Sequence, residues 1–340
     1  MATTNAAAKP LPIFKDVSLR EDAFCEGHTL CPGCEEAVTF HTLGRATDNG
    51  RKTCMVLGTS CGEVSTLMFP NVIAWGRGTD EPDRLEKSMG IIHHVFESAP
   101  TVSEAIRDTA TALEDVGAWK GQPPNVLSWS GDGGAISIGL RSLMHTIYRR
   151  ARIAIFVNIN EVFANTGFQY SPTSLPFADS STLPYGGGAD PIDHVGLAIA
   201  AGAGFVAQAS PAFPPFFSEV VNEALNCQSG TAVVFVPSPC IAGWKFTEGL
   251  TSELGKLAAQ TGLFPMFRKR VGQPGELKHL PEKAKRPVVE KYLALQQRFD
   301  HLVRKNGDKL EVRPGREADI AVLQSYADRN CERLQKWANF

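Results

Sequence analysis

Apolar residues along this chain fall into short runs that alternate with longer amphipathic stretches. The runs that resemble buried strands cover residues 54–58, 126–129, 153–158, 204–208 and 232–236. The helical stretches between them cover residues 103–116, 136–148 and 215–226. Such alternation is typical of α/β proteins, in which helices cover both faces of a mostly parallel sheet. We therefore predict a doubly wound α/β fold.

The flanking regions differ from this pattern. Residues 1–24 are interpreted as an extended N-terminal arm, and residues 25–267 as the α/β domain. The remaining residues, 268–340, form a C-terminal extension that we expect to pack on the core or on a partner. It begins with a polar, charged, proline-containing stretch predicted to be a surface excursion, residues 268–290, and continues with two predicted helices, residues 287–302 and 317–337.

Composition narrows the class of protein. The 340 residues are 43% hydrophobic, enough for a large core, and the formal net charge of −2 gives no basic field for nucleic acid. The N-terminal residues lack the apolar region of a signal peptide, and the longest apolar runs, such as 153–157 and 231–236, are too short for a membrane span. We expect a cytoplasmic protein.

Eight cysteines are many for a cytoplasmic chain, where clustered thiols bind metal more often than they form disulfides. Cys31 and Cys34 form a Cys-x-x-Cys turn, which alone is ambiguous between zinc, an iron–sulfur cluster and a redox dithiol. Cys61 and Cys240 each follow a predicted strand. The four together make a Cys₄ set that suits either Zn²⁺ or a 4Fe–4S cluster. Cys54, Cys227 and Cys331 are interpreted as buried small hydrophobes, and Cys25 as a competing ligand.

A glycine-rich turn follows the predicted strand 126–129 and precedes a helix. Its sequence is Ser130-Gly131-Asp132-Gly133-Gly134. Backbone N–H groups at such a turn bind pyrophosphate, and a carboxylate there can bind the accompanying Mg²⁺. The alternative is an ordinary tight turn.

A second polar loop follows the next strand. It runs Asn160-Glu161-Val162-Phe163-Ala164-Asn165-Thr166-Gly167. Because parallel strands bring their carboxyl ends to one edge, its oxygens should lie near Asp132. Asn160 could instead be a helix cap, but two such motifs across one βαβ unit favour a site over coincidence.

These two motifs together resemble the thiamine diphosphate motif of the pyruvate:ferredoxin oxidoreductase family, in its β subunit. The resemblance implies the pyrophosphate-domain type of sheet, with Asp132, the Asn160 side chain and the Val162 carbonyl as Mg²⁺ ligands. It places Asn165 beside the diphosphate or thiazolium. It also assigns cofactor binding to Gly131, Gly133, Gly134 and Thr166. Many family members have threonine at the position of Asn160, whose side-chain oxygen can serve equally.

The resemblance covers about residues 24–302, including segments 93–97, 262–267 and 286–299. In the family, cysteines at the positions of Cys31, Cys34, Cys61 and Cys240 hold a 4Fe–4S cluster near the thiamine. His28 and Glu97 are candidate catalytic residues that would face the cofactor, or else buried hydrogen-bonded side chains.

One departure concerns the substrate. Phe168 and Tyr170 replace the small or basic side chains that pyruvate enzymes commonly have after this loop. They would line a pocket for a larger, aromatic 2-oxoacid such as phenylglyoxylate, or else pack in a subunit interface.

The function implied by the resemblance is coenzyme A-dependent oxidative decarboxylation of a 2-oxoacid, with electrons passed to the cluster. No residue here is assignable as the glutamate that activates the aminopyrimidine, which in the family belongs to a partner α subunit. The expected assembly also contains γ and ferredoxin-like δ subunits or their equivalents. The alternatives are a non-oxidative thiamine-dependent decarboxylase subunit and a zinc-stabilised subunit without catalysis.

Overall fold

The computed structural model describes residues 13–24, 28–66, 89–307 and 309–340. Within these ranges, the strands of the central sheet are β1 Thr53–Gly58, β2 Met89–His94, β3 Asn125–Gly131, β4 Ala154–Ile159, β7 Phe205–Gln208, β8 Ala232–Pro237, β9 Met266–Arg270 and β10 Glu276–Lys278. Two small antiparallel pairs lie outside the sheet: β5 Val162–Phe163 with β6 Gln169–Tyr170, and β11 Val303–Asn306 with β12 Lys309–Val312.

The strand order is β10-β9-β7-β8-β4-β3-β1-β2. All neighbours from β2 to β7 are parallel, while β9 runs antiparallel to β7 and β10 antiparallel to β9. The predicted mostly parallel α/β fold is confirmed.

Helices cover both faces of the sheet. The α-helices described are Ile13–Ser18, Glu35–Ala46, Cys61–Thr66, Ala99–Asp115, Leu140–Tyr148, His194–Ala200, Pro214–Leu225, Ile241–Trp244, Thr251–Thr261, Glu290–Leu293 and Glu317–Asn339. A π-helical turn spans Gly133–Ile138, and 3₁₀ turns span Glu248–Leu250, Lys283–Lys285 and Gln297–Phe299. None of the described helices is both long and apolar enough to cross a bilayer.

The central strands are buried on both faces, which explains why they are continuous apolar runs in the sequence. In β4, Ile155 and Val157 pack into one hydrophobic cluster, and Ala154 and Phe156 pack into a second cluster on the opposite face. The period of two along the strand thus divides the core into two layers.

The C-terminal extension is more integrated with the domain than the sequence indicated. The predicted boundary at residue 267 falls inside β9, and β9 and β10 occupy part of the predicted surface excursion at 268–290. The predicted helix at 287–302 is wrong for most of its length. A one-turn helix and a 3₁₀ turn bring Tyr292, Phe299 and Leu302 into the main core. The second predicted helix, 317–337, is present as Glu317–Asn339.

The N-terminal residues also differ from the prediction. Residues 13–18 form a short helix instead of an extended arm, because Val17 and Phe24 are buried beside Phe40. Residues 1–12 and Cys25 lie outside the described residues.

We expect Leu323→Ala to lower the free energy of unfolding by about 2–5 kcal/mol, because this side chain of the C-terminal helix is fully buried in the main cluster. Val322→Ala, at a neighbouring position that is 38% exposed, should change it by less than about 0.5 kcal/mol. Urea unfolding of the two variants measures the difference. Equal effects would mean that the extension is not part of the core.

Candidate active site

A cleft lies at the carboxyl edge of the sheet, where β1, β3 and β4 end. Its lining residues come from the loops after these strands and from the turn after β2: Thr59, Ser60, Cys61, Phe96, Gly131, Asp132, Gly133, Gly134, Asn158, Asn160, Val162, Phe163, Ala164, Asn165 and Thr166. The structure therefore brings together the two polar motifs that the sequence singled out.

The glycine turn is shaped by close backbone contacts. A Cβ on Gly134 would lie 3.3 Å from the Phe96 carbonyl oxygen, and one on Gly133 would lie 2.5 Å from the Phe163 ring. Side chains at these positions would fill the space beside the turn. The turn continues into the π-helical segment, so its N–H groups belong to the first turn of a helix, a favourable place for a diphosphate.

Asp132 is buried at the start of this turn. One carboxylate oxygen accepts a hydrogen bond from the Gly133 N–H at 2.8 Å, and the other accepts from the hydroxyls of Ser171, at 2.9 Å, and Thr173. Burial raises the pKa of Asp132 to about 6, although these three donors oppose the rise. A cation would stabilise the buried carboxylate. Ser171 and Thr173 were missed as site residues, because in the sequence they are only a polar stretch after the second motif.

The second motif supplies further oxygen atoms. The Asn160 side-chain oxygen accepts a hydrogen bond from the Val162 N–H at 3.2 Å, and Asn160, Val162 and Asp132 all line the cleft. Nearby, the buried Asn158 side-chain oxygen has no hydrogen-bond partner among the described residues. Carboxylate, amide and carbonyl oxygens are the ligands that Mg²⁺ prefers, so the donor set fits this ion.

The four candidate cluster cysteines come from three loops. Cys31 and Cys34 form a turn closed by a 3.0 Å hydrogen bond between the Cys34 N–H and the Cys31 carbonyl. Gly33 in this turn has φ +76°, and a Cβ there would lie 2.7 Å from the Glu248 carbonyl oxygen, which explains the glycine. Cys61 begins a helix after β1, and Cys240 caps the helix Ile241–Trp244 after β8, accepting from the Gly243 N–H at 3.3 Å.

These thiols are close enough to influence one another electrostatically. Burial raises the pKa of Cys34 to about 12, with a further rise from the Glu36 carboxylate and from Cys240 and Cys31. Burial also raises the pKa of Cys240 to about 11, and that of Cys61 rises through burial, Glu36 and the other three cysteines. Four thiolates together would therefore need a cationic group to form.

Glu36 is an acidic residue of this region that no sequence motif indicated. It is fully buried and accepts hydrogen bonds from the indole of Trp129 at 3.0 Å and the amide of Asn158 at 3.3 Å. Desolvation raises its pKa to about 7, against the effect of hydrogen bonds from the Trp129 indole and the Gly62 backbone N–H. Glu36 thus links the cysteine region to the strand ends of the cleft.

The structure does not assemble a single-ion site from these thiols. In the described part of the chain, which includes Cys31, Cys34, Cys61 and Cys240, no group of three or more His, Cys, Asp or Glu side chains is arranged to hold a metal ion.

Asn165 connects the two halves of the site. Its side-chain oxygen accepts a hydrogen bond from the Cys61 thiol at 3.3 Å, while the residue also lines the cleft. Thr166 lines the same cleft and is exposed, with its hydroxyl bonded to Gln169. One of the predicted cluster ligands, Cys61, is thus in direct contact with the predicted cofactor cleft.

The remaining predicted catalytic residues are less closely associated with the cleft. His28 is exposed and is not among the lining residues. Glu97 is half-buried and packs its backbone against Gly139, while the preceding Phe96 lines the cleft.

The two unusual aromatics are not among the lining residues. A carbon of the Phe168 ring is 3.1 Å from where a Cβ on Gly243 would lie, beside Cys240, and Tyr170 pairs with Val162 in the β5–β6 ladder. The aromatic residues that line the cleft are Phe96 and Phe163.

We expect Gly139→Ala to destabilise the protein by about 1–3 kcal/mol, because the added methyl would press on the Gly134 carbonyl and lie 2.8 Å from the Glu97 Cα, both backbone groups. Gly249→Ala is the matched control, since nothing lies within 4 Å of its added Cβ. Chemical unfolding compares the two variants. An unchanged Gly139→Ala protein would show that the turn is less tightly packed than described.

Comparison with known proteins agrees with this geometry. Residues 111–236 match the family described as thiamine pyrophosphate enzyme, C-terminal TPP binding domain. Pyruvate synthase subunit PorB of Methanocaldococcus jannaschii is 30% identical, covering 93% of this chain and 97% of that protein. Ketoisovalerate oxidoreductase subunit VorB of Pyrococcus abyssi is 28% identical, covering 94% of each chain.

A solved structure shows the same fold. A chain of 2-oxoglutarate:ferredoxin oxidoreductase from Magnetococcus marinus superimposes with a TM-score of 0.51 at 21% identity, covering 69% of this chain and 79% of the other. The sequence relationship to the PorB subunit spans nearly the full length of both proteins. This chain therefore belongs to the β-subunit family of the 2-oxoacid:ferredoxin oxidoreductases.

Proposed function

We propose that this chain is the subunit of a coenzyme A-dependent 2-oxoacid:acceptor oxidoreductase that binds thiamine diphosphate with Mg²⁺ and holds a 4Fe–4S cluster as first electron acceptor. The observation that carries the proposal is the contact between Asn165, which lines the cleft, and Cys61 of the four-cysteine group. A decarboxylase would need the cleft alone, whereas an oxidoreductase needs an electron acceptor beside it.

Thiamine diphosphate, when bound, supplies the nucleophile that makes decarboxylation of a 2-oxoacid possible. The residues of this chain would hold it by two means. Backbone N–H groups of the glycine turn, such as that of Gly134, would bind the diphosphate, and oxygens of Asp132, Asn160 and Val162 would bind Mg²⁺. Ser171 and Thr173 orient the Asp132 carboxylate by hydrogen bonds, so that its direction is fixed before the ion binds.

Cys31, Cys34, Cys61 and Cys240 would hold the cluster. Cys31 is exposed and the other three are half-buried, and the Gly243 N–H donates to the Cys240 sulfur. Hydrogen bonds to the sulfurs and burial are two of the factors that set the potential of such a cluster. Cys61 itself lines the cleft, and its thiol donates to the Asn165 side-chain oxygen, so the cleft and the proposed cluster site share a residue.

The cleft needs a partner. The described lining residues include no glutamate that could activate the aminopyrimidine. We infer that an α subunit supplies it, with γ and ferredoxin-like δ subunits or equivalents completing the assembly. The relatives' description as subunits PorB and VorB supports a hetero-oligomer. The Magnetococcus structure contains 2-oxoglutarate, coenzyme A and succinyl-CoA, which supports coenzyme A as acyl acceptor.

For the substrate we propose a 2-oxoacid of the pyruvate type, since the relatives are named for pyruvate and ketoisovalerate. Phe168 packs beside the Cys240 loop and Tyr170 in the β5–β6 ladder, so neither favours an aromatic acid in the described cleft. Phenylglyoxylate remains the aromatic candidate against which pyruvate is tested.

The two alternatives explain less. A non-oxidative thiamine-dependent decarboxylase would leave the four mutually interacting cysteines without a role. If the chain were a zinc-stabilised subunit without catalysis, the buried Asp132 and the polar atoms that converge near it would have no role.

We expect the complex purified anaerobically with its partner subunits to contain about four irons per copy of this chain beyond the partners' clusters, with matching sulfide. Cys240→Ser should lower this iron, because it removes one of the four ligands. Cys227→Ser, at a half-buried thiol near Ser229, should leave it unchanged. Zinc, or iron unaffected by Cys240→Ser, would refute the ligand set.

We also expect 2-oxoacid-dependent reduction of a low-potential dye only when the partner subunits are present, and more rapid reduction with pyruvate than with phenylglyoxylate. Anaerobic dye-reduction assays on the isolated chain and on the complex measure both. Robust activity of the isolated chain would remove the need for an α-subunit glutamate, and a preference for phenylglyoxylate would reverse the substrate assignment.

A further inference from the structure

Arg298, in the C-terminal extension, is a buried arginine whose guanidinium faces the second motif of the cleft. Its two terminal nitrogens donate to the two carboxylate oxygens of Glu161, at 2.9 and 3.2 Å. The exposed fraction of the Arg298 side chain is 2% and that of the Glu161 side chain 0%. This fork-shaped ion pair joins residues 137 positions apart in the chain, one of which follows the candidate ligand Asn160 directly.

The Nε atom and the flat face of the guanidinium also contact neighbouring side chains. Its Nε donates to the Gln296 side chain at 2.8 Å, and its face lies 3.7 Å from the centre of the Trp244 ring. The Trp244 indole N–H donates to the Asn160 carbonyl at 2.9 Å, and the Trp244 backbone N–H donates to the Cys240 carbonyl at 2.8 Å. One arginine thus fixes both the oxygen-bearing loop and the loop of Cys240.

Glu161 needs this support. Its φ is +63°, a conformation that non-glycine residues rarely adopt and that persists only when the surroundings hold it. The Glu161 carboxylate also accepts from the Leu175 N–H at 2.9 Å, and the Glu161 carbonyl accepts from the Ser174 hydroxyl at 2.6 Å. The left-handed turn at Glu161 sets the direction in which the neighbouring oxygens of Asn160 and Val162 point.

We propose that Arg298 is a positioning residue for the cofactor site: through Glu161 and Trp244 it holds the oxygens of Asn160 and Val162 where a bound Mg²⁺ requires them. The inference rests on the proposed function, since it concerns the same cleft. With this role for Arg298, the C-terminal extension is part of the cofactor site, although no residue of the extension lines the described cleft.

A purely structural role would give a different result from a positioning role. Removing one partner of a buried ion pair leaves an uncompensated charge and destabilises the fold, whereas neutral replacement of both partners can be tolerated. Arg298→Met with Glu161→Gln therefore removes the pair without leaving a buried charge. Arg298→Lys keeps the charge but loses the two-pronged geometry and the flat face that stacks on Trp244.

The test measures the Mg²⁺ concentration needed for half-maximal retention of thiamine diphosphate by the complex with its partner subunits, using equilibrium dialysis. We expect Arg298→Lys and the double variant each to need about 10–100-fold more Mg²⁺ than the wild type, as for other residues that orient metal ligands. Thermal unfolding, followed in parallel, should place the double variant closer to the wild type than Arg298→Met alone.

The control is Arg329→Lys. Arg329, also in the C-terminal extension, pairs with Asp190: one of its terminal nitrogens donates to both carboxylate oxygens, at 2.9 and 2.8 Å, and both side chains are about half exposed. The Arg329→Lys substitution should change neither the Mg²⁺ requirement nor the unfolding temperature.

Wild-type Mg²⁺ requirements in Arg298→Lys and in the double variant would overturn the positioning role and leave the proposed function intact. Recovery of the wild-type requirement in the double variant, with Arg298→Met alone impaired, would also overturn it in favour of a stabilising ion pair. Failure of the wild-type complex to bind thiamine diphosphate would overturn the proposed function and this inference with it.

Discussion

The register of the parallel sheet is the constraint on which the rest of the site depends. Gly131 of β3 lies opposite Asn158 of β4, and Ile159 of β4 lies opposite Pro237 of β8. Asp132, Asn160 and Cys240 therefore follow neighbouring strands by one to three residues and emerge at the same edge. Because side chains alternate faces along a strand, a shift of one residue in either pairing would turn these groups away from one another and expose the apolar residues between them. The two-layer core fixes the register, and the register positions the site.

Buried acidic side chains surround this edge, and a different set of groups offsets the desolvation cost of each carboxylate. Asp132 has three hydrogen-bond donors, Glu36 has the Trp129 indole and the Asn158 amide, and Glu161 has the guanidinium of Arg298. Only the last has a full positive charge beside it. The rise in the pKa of Asp132 and Glu36 follows from this difference, because hydrogen bonds offset only part of the cost of desolvation. A cationic group at the cleft edge would offset the remaining desolvation cost of Asp132, which is itself a candidate metal ligand.

The parts of this arrangement that depend on local sequence could be predicted. The buried strands are continuous apolar runs, and the glycine turn and the loop from Asn160 to Thr166 carry their own signatures. Strand β2 was missed because it lies at the sheet edge, where its positions alternate in exposure and its short apolar stretch contains a glycine and ends in two histidines. Glu36, Ser171 and Thr173 were missed because a single acid in a helix or a hydroxyl in a loop has no pattern. Their importance comes from contacts across 39 to 122 residues of chain.

The C-terminal extension shows why a boundary drawn from composition can mislead. Its polar, proline-containing start resembles a linker, yet β9 completes the sheet beside β7, and Tyr292 and Phe299 fill the core beneath the cysteine loop. An extension that only covered apolar surface would need no buried charge, and burying an arginine is costly unless it is fully paired. The Arg298 guanidinium is paired with the Glu161 carboxylate, and its face is stacked against Trp244. Burying this charge costs free energy, and the fixed geometry of the cleft oxygens would be the reason that the protein retains it. The extension and the α/β domain then act as a single catalytic unit.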